Sequence, residues 1–577
     1  MTSARRVLAM FVVLGGLLAG TIPSASAQLR TDADWSEAYI TSSDGVTTLH
    51  ADILRPKGMP LDAAHKTPVL LTVSPYTNHS GQTTDYDPNA VGPSNRFYDF
   101  LDRSHLLEHG YTYVVVDLPG FGGSAGCTDW GGAREQGAVK TAVEWAAAQP
   151  WSTGKVALFG KSYDGWTGLM GIAQHPTGLA AVLSLEPVYT GYDYEYMNGV
   201  RKATSAEEAA IFAAVDAKPG STKDSPQYLA NSAPEAWCYG VNIALQQEDD
   251  QNLPFWVERD LIKEARSSPA ALNTPLFMTQ GFLEDNTQPE RAYDFFNMMT
   301  GPKRAWFGQW DHCRPWETYG ACKTNSNTRL ALGRDPSVFI DEAVRFLDYY
   351  VKGDHTTQIE QDPAIEVQDQ TGKFRAEEQW PPADAISYWS ELNPGSYTDG
   401  GLDSATGDTS GIWSFSQPLE DKAWLTGEPV IQVALSTVAP RANLTADVYD
   451  VAPDNEATLI SRGTSLVRGV GSQNVFIKMF GEDWVLQPGH RVAVRITSAN
   501  SDWWIHVPTE TPVTVDSASI GLPFLRYDRT EYLPGGSTPR LESVLRDTTA
   551  LTDAFITANH QEFRLPPPLI EPDDQQA

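Results

Sequence analysis

Basic side chains, long apolar runs and internal repeats are all scarce in this sequence, and each scarcity excludes a class of protein. Its 577 residues include 42 lysines and arginines against 73 aspartates and glutamates, so the formal net charge is −31. Such a surface repels nucleic acid and anionic membranes, and we expect neither as a partner. No stretch after residue 27 is long and apolar enough to span a bilayer. Without repeats or low-complexity segments, the chain is not a solenoid or a fibrous protein.

Cysteine is also rare, with four residues: Cys127, Cys238, Cys313 and Cys322. In an oxidising compartment this even number predicts two disulfides, for which three connectivities exist. We favour Cys313 with Cys322, which closes a short loop, and Cys127 with Cys238, which ties the body of the protein to an insertion. The spacing does not indicate a metal site, and we predict neither a metal nor a cofactor.

The first 27 residues have the pattern of a signal peptide. Arg5 and Arg6 precede an apolar stretch, residues 7–19, and Ala25-Ser26-Ala27 has the small-x-small form that signal peptidase cleaves. The mature protein is therefore predicted to begin at Gln28 and to be secreted. The paired arginines fit the folded-export route only in part, so that route and ordinary secretion both stay open.

The sequence predicts a serine on a sharp turn between a strand and a helix. Ser162 lies in Gly160-Lys161-Ser162-Tyr163-Asp164-Gly165, directly after the short apolar run 155–159. Gly165, Gly168 and Gly171 follow at spacings that let a helix lie close against a sheet. Because a single motif of this kind is often an ordinary turn, the interpretation depends on partners elsewhere in the chain.

Two later strand-like runs supply these partners. Residues 275–280 lead to Glu284 and Asp285, and residues 304–308 lead to His312. If both strands run parallel to the one before Ser162, these side chains emerge at the same edge of the sheet, in the order serine, acid, histidine. Other interpretations are a structural, partly buried His312 and a solvated pair of turn acids.

Strands and helices alternate over much of the chain, which predicts an α/β fold with a mostly parallel sheet. Residues 190–272 are rich in Ala, Glu and Asp and are predicted to form a helical lid. After Gly353 short alternating runs indicate an all-β sandwich. The predicted divisions are a catalytic domain over 28–360, a β domain over 375–560 and a loose tail over 561–577.

These residues resemble the X-Pro dipeptidyl-peptidase and cocaine esterase group of α/β-hydrolases. The resemblance covers nearly all of the predicted mature chain and implies a catalytic α/β-hydrolase domain followed by a jelly-roll domain. It depends on motifs that are specific as a set: Ser74-Pro75-Tyr76, Asp117-Leu118-Pro119-Gly120, Gln149-Pro150-Trp151, Gly160-Lys161-Ser162-Tyr163, Gly281-x-x-Glu284, Gly308-x-Trp310-x-His312 and Trp380-Pro381-Pro382.

The resemblance implies a role for each residue that matches a family motif. Ser162 would be the nucleophile and His312 the base. The family's acid stands three residues after the glycine, which selects Glu284; because the family has aspartate there, Asp285 stays an alternative. The hydroxyl of Tyr76 and the backbone N–H of Tyr163 would form the oxyanion hole.

The resemblance implies three possible substrate classes: amides after an Xaa-Pro dipeptide, simple esters, and esters of α-amino acids. A free α-ammonium group requires carboxylates near the acyl pocket, and Asp193, Glu195 and Asp285 are the candidates, although they could equally form a solvated acidic loop. We predict a secreted serine hydrolase that acts on peptides or small esters, with Xaa-Pro dipeptidyl-peptidase activity ahead of esterase activity. A non-catalytic surface-binding protein is the third alternative.

Overall fold

The computed structural model describes residues 29–571 apart from short internal segments, which are 82–85, 206–207, 209–210, 213–214, 216–217, 233–236, 318–331 and 401–403. The predicted signal peptide and the end of the predicted tail lie outside the described residues. None of the helices in the described part of the chain combines the length and the apolarity that a membrane span requires.

Ten strands form the main sheet. They are β1 (Ala33–Thr41), β2 (Thr48–Pro56), β3 (Thr67–Ser74), β4 (Thr112–Asp117), β5 (Ser152–Lys161), β6 (Leu179–Leu185), β9 (Leu276–Gly281), β10 (Lys303–Gly308), β11 (Ile365–Gln368) and β12 (Phe374–Glu377); two short strands between β6 and β9, β7 (Tyr196–Met197) and β8 (Val200–Lys202), lie outside this sheet.

The order of the main sheet is β1-β2-β4-β3-β5-β6-β9-β10-β11-β12. The strands from β4 to β11 in this order are parallel. At one edge β2 pairs antiparallel with both β4 and β1, and at the other β12 pairs antiparallel with β11. This confirms the predicted α/β fold with its mostly parallel sheet.

Both faces of the sheet are covered, as a parallel sheet requires. Val114 and Val116 of β4 enter one buried cluster, whereas Val115 between them enters another. The α-helices with both ends in the described part of the chain are α1 (Tyr98–Arg103), α2 (Ala133–Ala148), α3 (Tyr163–Gln174), α4 (Gly191–Glu195), α5 (Pro226–Asn231), α6 (Trp237–Gln246), α7 (Pro254–Val257), α8 (Leu261–Arg266), α9 (Pro269–Leu272), α10 (Ala292–Met298), α11 (Pro336–Leu347), α12 (Pro539–Val544) and α13 (Asp553–Ala558).

Glycines on one face allow α3 to pack closely against the sheet. A Cβ atom added at Gly165 would lie 2.9 Å from the carbonyl oxygen of Leu185, and one at Gly171 would lie 2.1 Å from a methyl carbon of Leu158. Neither position has room for a larger residue without a shift of the helix or of the sheet. This close approach holds the first turn of α3, and with it Ser162, against the edge of the sheet.

The region predicted to be a lid consists of short helices, α4 to α9, between β6 and β9. Its strand β8 pairs with β23 (Trp504–Ile505), so that Lys202 lies opposite Trp504. The segment is therefore attached to the C-terminal part of the protein as well as to the main sheet.

The C-terminal part is all-β, as predicted. One sheet has the order β20-β17-β24-β16-β21, with β13 and β14 also paired to β24, and the other has the order β15-β22-β18-β19-β25. The strands are β13 (Ala385–Leu392), β14 (Gly395–Thr398), β15 (Ile412–Phe415), β16 (Ala423–Gly427), β17 (Val430–Thr437), β18 (Arg441–Val451), β19 (Glu456–Arg468), β20 (Gly471–Lys478), β21 (Glu482–Leu486), β22 (Arg491–Thr497), β24 (Pro512–Leu525) and β25 (Thr548–Ala550).

Buried polar contacts join the sandwich to the main sheet. Arg375 of β12 donates two hydrogen bonds to the carboxylate of Asp483 in β21, at 2.7 and 2.6 Å. Next to this pair, the side-chain amide of Gln309 donates to the carboxylate of Glu482. Gln309 follows β10 directly and stands three residues before His312, so the sandwich supports the turn that carries the predicted base.

Candidate active site

The predicted nucleophile lies on a strained turn between β5 and α3. Ser162 has φ 67° and ψ −127°, a conformation that non-glycine residues rarely adopt. Gly160 makes the turn possible, because a Cβ atom there would lie 2.3 Å from the Cβ of Asp164. The side chain of Ser162 keeps partial exposure at the C-terminal edge of the sheet. This is the geometry of the nucleophile elbow in α/β-hydrolases.

The predicted acid and base are in direct contact. The Nδ1 atom of His312 lies 2.8 Å from Oε2 of Glu284, whose carboxylate is fully buried. The other oxygen, Oε1, accepts the backbone N–H groups of Asn286 at 2.7 Å and Thr287 at 3.3 Å. The loop after β9 therefore holds the carboxylate of Glu284 in one orientation, with Nδ1–H of the imidazole donating to it.

Asp285, the alternative acid, lies in the same loop, and its backbone carbonyl helps to hold that loop in place. That carbonyl accepts hydrogen bonds from the hydroxyl of Thr204 at 2.5 Å and from the side-chain amide of Gln288 at 3.3 Å. The carboxylate that contacts the Nδ1 atom of His312 is that of Glu284.

Tyr76, the predicted oxyanion donor, has its hydroxyl hydrogen-bonded to the side chain of Ser162. The guanidinium of Arg96 lies 4.1 Å from the centre of the Tyr76 ring, and Arg96 Nε donates to Asp164 at 2.5 Å. Burial raises the pKa of Tyr76, although the positive charge of Arg96 opposes this shift. The phenol therefore stays a neutral hydrogen-bond donor throughout the neutral pH range, as an oxyanion hole requires.

Tyr163, the other predicted donor, contributes its backbone. Its N–H is the first of α3 and belongs to the helix turn whose N–H groups lack acceptors within the helix. The side chain points elsewhere: its hydroxyl donates to the buried carboxylate of Glu135 at 2.6 Å. That contact holds the residue next to Ser162 in place.

Replacing Tyr76 by phenylalanine is expected to lower kcat by about 10²- to 10³-fold, because one of two donors to the developing oxyanion is lost. The comparison of kcat and KM with the wild-type protein checks this. Tyr98→Phe is the matched control, since Tyr98 lies in α1 and stacks on Arg30. A Tyr76→Phe variant with unchanged kcat would remove Tyr76 from the oxyanion hole.

Two residues that the sequence analysis did not single out support the base. Lys161 Nζ donates to the backbone carbonyl of His312 at 2.8 Å. Glu186, directly after β6, accepts the indole N–H of Trp310 at 2.8 Å and the backbone N–H of Gly281 at 3.1 Å. Glu186 thus connects the turn before His312 with the loop before Glu284. Glu186 could have been identified from the sequence, because it directly follows the strand-like run that forms β6.

Glu186 also interacts electrostatically with Glu284. Burial, followed by repulsion from Glu284, raises the pKa of Glu186 well above its usual range, while the hydrogen bond from Trp310 opposes the shift. Neighbouring buried carboxyl groups do not readily ionise together. Of this pair, Glu186 is the carboxyl group whose protonated form the surroundings favour.

The sequence matches two family models that together cover most of the chain. Residues 44–314 match the X-Pro dipeptidyl-peptidase (S15) family, and residues 357–541 match the X-Pro dipeptidyl-peptidase C-terminal non-catalytic domain. The chain is a serine hydrolase of the X-Pro dipeptidyl-peptidase family. A relative from Streptomyces avermitilis, provisionally named a Xaa-Pro dipeptidyl-peptidase, is 23% identical over 470 residues, which cover 71% of this chain and 63% of the relative.

Solved structures show the fold of this S15-family hydrolase in other proteins. A CocE/NonD family hydrolase from Staphylococcus aureus matches with a TM-score of 0.63 and 14% identity, covering 88% of this chain and 99% of its own. An α-amino acid ester hydrolase matches with a TM-score of 0.62 and 17% identity, covering 88% and 98%. At these identities the similarity is one of fold.

Asp193 and Glu195, two of the carboxylates predicted to bind an ammonium group, each lie next to an arginine. Asp193 accepts from the hydroxyl of Thr190 at 2.6 Å and forms an ion pair with Arg291 at 3.2 Å. Glu195 is fully buried and lies 3.2 Å from Arg201. Burial raises the pKa of Glu195 to about 8, although Arg201 opposes the shift.

A third acid, Glu208, was missed by the sequence analysis and lies nearer to the predicted oxyanion donor. It accepts a hydrogen bond from the hydroxyl of Tyr194, and its charge influences both Tyr76 and Glu195. Burial raises the pKa of Glu208 to about 7. Beside it, the ring of Phe212 packs 5.7 Å from the ring of Tyr76. Nothing in the local sequence distinguishes Glu208 from the other acids of the lid.

The cysteines of the hydrolase are described in part. Cys127 and Cys313 are both buried, and neither is a free thiol. The side chain of Cys238 and the whole of Cys322 lie outside the described residues. The predicted pairings therefore stay predictions.

Proposed function

We propose that Ser162, Glu284 and His312 act as a catalytic triad. The hydrogen bond from Nδ1–H of His312 to Glu284 keeps the other ring nitrogen, Nε2, basic. Nε2 takes the hydroxyl proton as Ser162 attacks the substrate carbonyl, and later gives that proton to the leaving amine or alcohol. Water then hydrolyses the acyl-enzyme with the same base. The contact between Glu284 and His312 favours Glu284 over Asp285 as the acid.

The substrate of this site is proposed to be a peptide with proline in its second position, from which the N-terminal dipeptide is released. The observation that carries the proposal is the position of Glu208, which is half-buried beside Tyr194 and close enough to Tyr76 for an electrostatic interaction. A carboxylate there can pair with the α-ammonium group of a short acyl segment while its carbonyl lies in the oxyanion hole. Phe212 offers an apolar ring next to the same acyl segment.

A second candidate is the hydrolysis of α-amino acid esters. It is favoured by the α-amino acid ester hydrolase among the structures of the same fold. Both candidates use the same triad and the same recognition of an ammonium group. They differ in the length of the acyl group and in the bond that is broken.

The experiment that separates these candidates compares an Ala-Pro anilide, its N-acetylated form and an alanine aryl ester, with Ser162→Ala as the blank. We expect cleavage of the free-amine anilide alone or well ahead of the ester, and no cleavage of the acetylated anilide. Cleavage of the ester with neither anilide touched would replace the proposal by the second candidate. Equal cleavage of the two anilides would refute recognition of the ammonium group.

Replacing Glu208 by glutamine is expected to raise KM for the free-amine anilide by on the order of 10²-fold, because the half-buried partner of the ammonium charge is lost. The kinetics of a neutral aryl acetate should not change. Asp193→Asn is the matched control, since Asp193 pairs with Arg291. If Asp193→Asn had the larger effect on the anilide, the ammonium site would belong to Asp193.

The same carboxylate predicts a pH dependence. With its pKa raised to about 7 by burial, Glu208 is protonated at lower pH and ionised at higher pH. The KM for the free-amine anilide should therefore fall as the pH rises through about 7, until the substrate's own ammonium group, with a pKa of about 8, loses its proton. The neutral aryl acetate should lack this change in KM.

We also propose that the protein is exported and contains the disulfides Cys313–Cys322 and Cys127–Cys238. The signal-like segment before Gln28 supports export, and the state of Cys127 and Cys313 supports the disulfides. Mass spectrometry of the protein released by producing cells should give an N-terminus at Gln28 and peptides joined in these two pairs. A retained full-length chain or four free thiols would refute the respective part of the proposal.

A further inference from the structure

Two buried histidines point the same ring nitrogen toward shared carboxylates near the edge of the main sheet. His50 Nε2 lies 3.1 Å from Glu37 Oε1 and 3.9 Å from Asp52 Oδ1. His79 Nε2 lies 3.1 Å from Asp52 Oδ2. One ligand atom from each of Glu37, His50 and His79 can be chosen so that all three lie within 4.8 Å of one another.

The sheet register brings these groups together. Glu37 of β1 lies directly opposite Asp52 of β2 in the antiparallel pair, and His50 stands two residues before Asp52 on the same face. His79 comes from the loop after β3, which also carries Tyr76. The two imidazoles are fully buried, and their ring centres are 5.3 Å apart.

The second nitrogen of each imidazole is held by its own carboxylate. His50 Nδ1 lies 2.9 Å from Asp117 Oδ2, and His79 Nδ1 lies 2.7 Å from Asp224 Oδ1. Metal-binding histidines almost always donate their other ring N–H to a carboxylate or carbonyl, which fixes the tautomer and the direction of the metal-binding nitrogen. Here both Nδ1 atoms have that partner, and both Nε2 atoms turn toward Asp52.

The separations suit a small tetrahedral ion. Ligand atoms about 2.0–2.2 Å from Zn²⁺ lie about 3.3–3.6 Å from one another in a tetrahedron. The separation of 3.1 Å between His50 Nε2 and Glu37 Oε1 lies close to this range. Two imidazoles with one carboxylate form a donor set that suits Zn²⁺, whereas Ca²⁺ and Mg²⁺ prefer oxygen ligands alone.

We propose that Glu37, His50 and His79 hold a structural zinc ion, which lies beside the carboxylate of Asp52. Both imidazoles are fully buried, so we assign the ion a structural role. The ion would join β1 and β2 to the loop after β3 and, through Asp224, to the lid. It would thereby stabilise the loop that presents Tyr76 to Ser162.

The test uses the full-length protein after treatment with a chelator and dialysis. Titration with Zn²⁺, followed by equilibrium dialysis and elemental analysis, is expected to show one tightly bound ion per chain and a rise in Tm. Co²⁺ in its place should give the visible absorption of a tetrahedral centre. Absence of a bound ion would overturn the proposal. The cluster would then be a set of hydrogen bonds between the two histidines and the carboxylates around them.

Variants assign the binding to these residues. Glu37→Gln should weaken Zn²⁺ binding by at least about tenfold, and this side chain is 29% exposed, so the fold should tolerate the change. His79→Gln should abolish the Co²⁺ absorption. His65→Gln is the matched control, because His65 forms an exposed pair with Asp62 at 2.8 Å. Equal affinity in Glu37→Gln, His65→Gln and the wild type would place the ion elsewhere.

Discussion

Replacing Ser162 by alanine is expected to lower kcat by on the order of 10⁶-fold, the largest effect of any single substitution in this protein. Without the hydroxyl no acyl-enzyme can form, because His312 has no nucleophile from which to take a proton. The turn itself should survive, because alanine keeps the Cβ atom and loses only the oxygen. Steady-state kinetics with the best substrate of the anilide and ester series measures the loss.

Two observations accompany this measurement. Ser387→Ala, which changes an exposed serine of β13, should keep full activity. A fluorophosphonate probe should label the wild-type protein at Ser162 and leave Ser162→Ala unlabelled. A variant that kept more than about 1% of the wild-type kcat would show that the nucleophile lies elsewhere.

The second large effect is expected for Glu284→Gln, which should lower kcat by on the order of 10⁴-fold. An amide at this position can present its NH₂ group to Nδ1 of His312, which favours the wrong tautomer of the imidazole. It also removes the negative charge that stabilises the imidazolium during proton transfer. The kcat of the variant with the anilide or ester substrate provides the measurement.

Asp285→Asn is the matched control, because it makes the same chemical change one residue away. We expect an effect below about tenfold, since the carboxylate in contact with Nδ1 of His312 belongs to Glu284. A larger loss in Asp285→Asn than in Glu284→Gln would reverse the assignment. Circular dichroism of both variants would show whether either loss comes from misfolding.

Much of the fold could be predicted from the sequence because its strands are short apolar runs with clear ends. The run 155–159 lies within β5, and the runs 275–280 and 304–308 differ from β9 and β10 by one residue at their ends. Parallel strands place their C-terminal ends at one edge of the sheet, so the meeting of Glu284 and His312 followed from topology alone. The Gly-rich face of α3 followed in the same way from its spacing.

The acidic groups around the site could not be predicted in this way. Asp193 and Glu195 were chosen for their place near β6, but their ion pairs with Arg291 and Arg201 depend on how the lid folds back. Glu208 lies in that lid among several acids of similar local sequence. Only tertiary packing selects the one that approaches Tyr76. Glu186 differs, since it directly follows a parallel strand and only its contacts with Trp310 and Gly281 required the structure.

The hydrogen bond between Gln309 and Glu482 has a consequence for the synthesis of the protein. The two residues are separated by 173 positions in the chain, so the partner of the turn before His312 leaves the ribosome long after the turn itself. We expect a nascent chain that has completed the main sheet to remain without its final active-site geometry until β21 has been added. A hydrolase made in this order has no working site while its own unfinished chain is still exposed beside it.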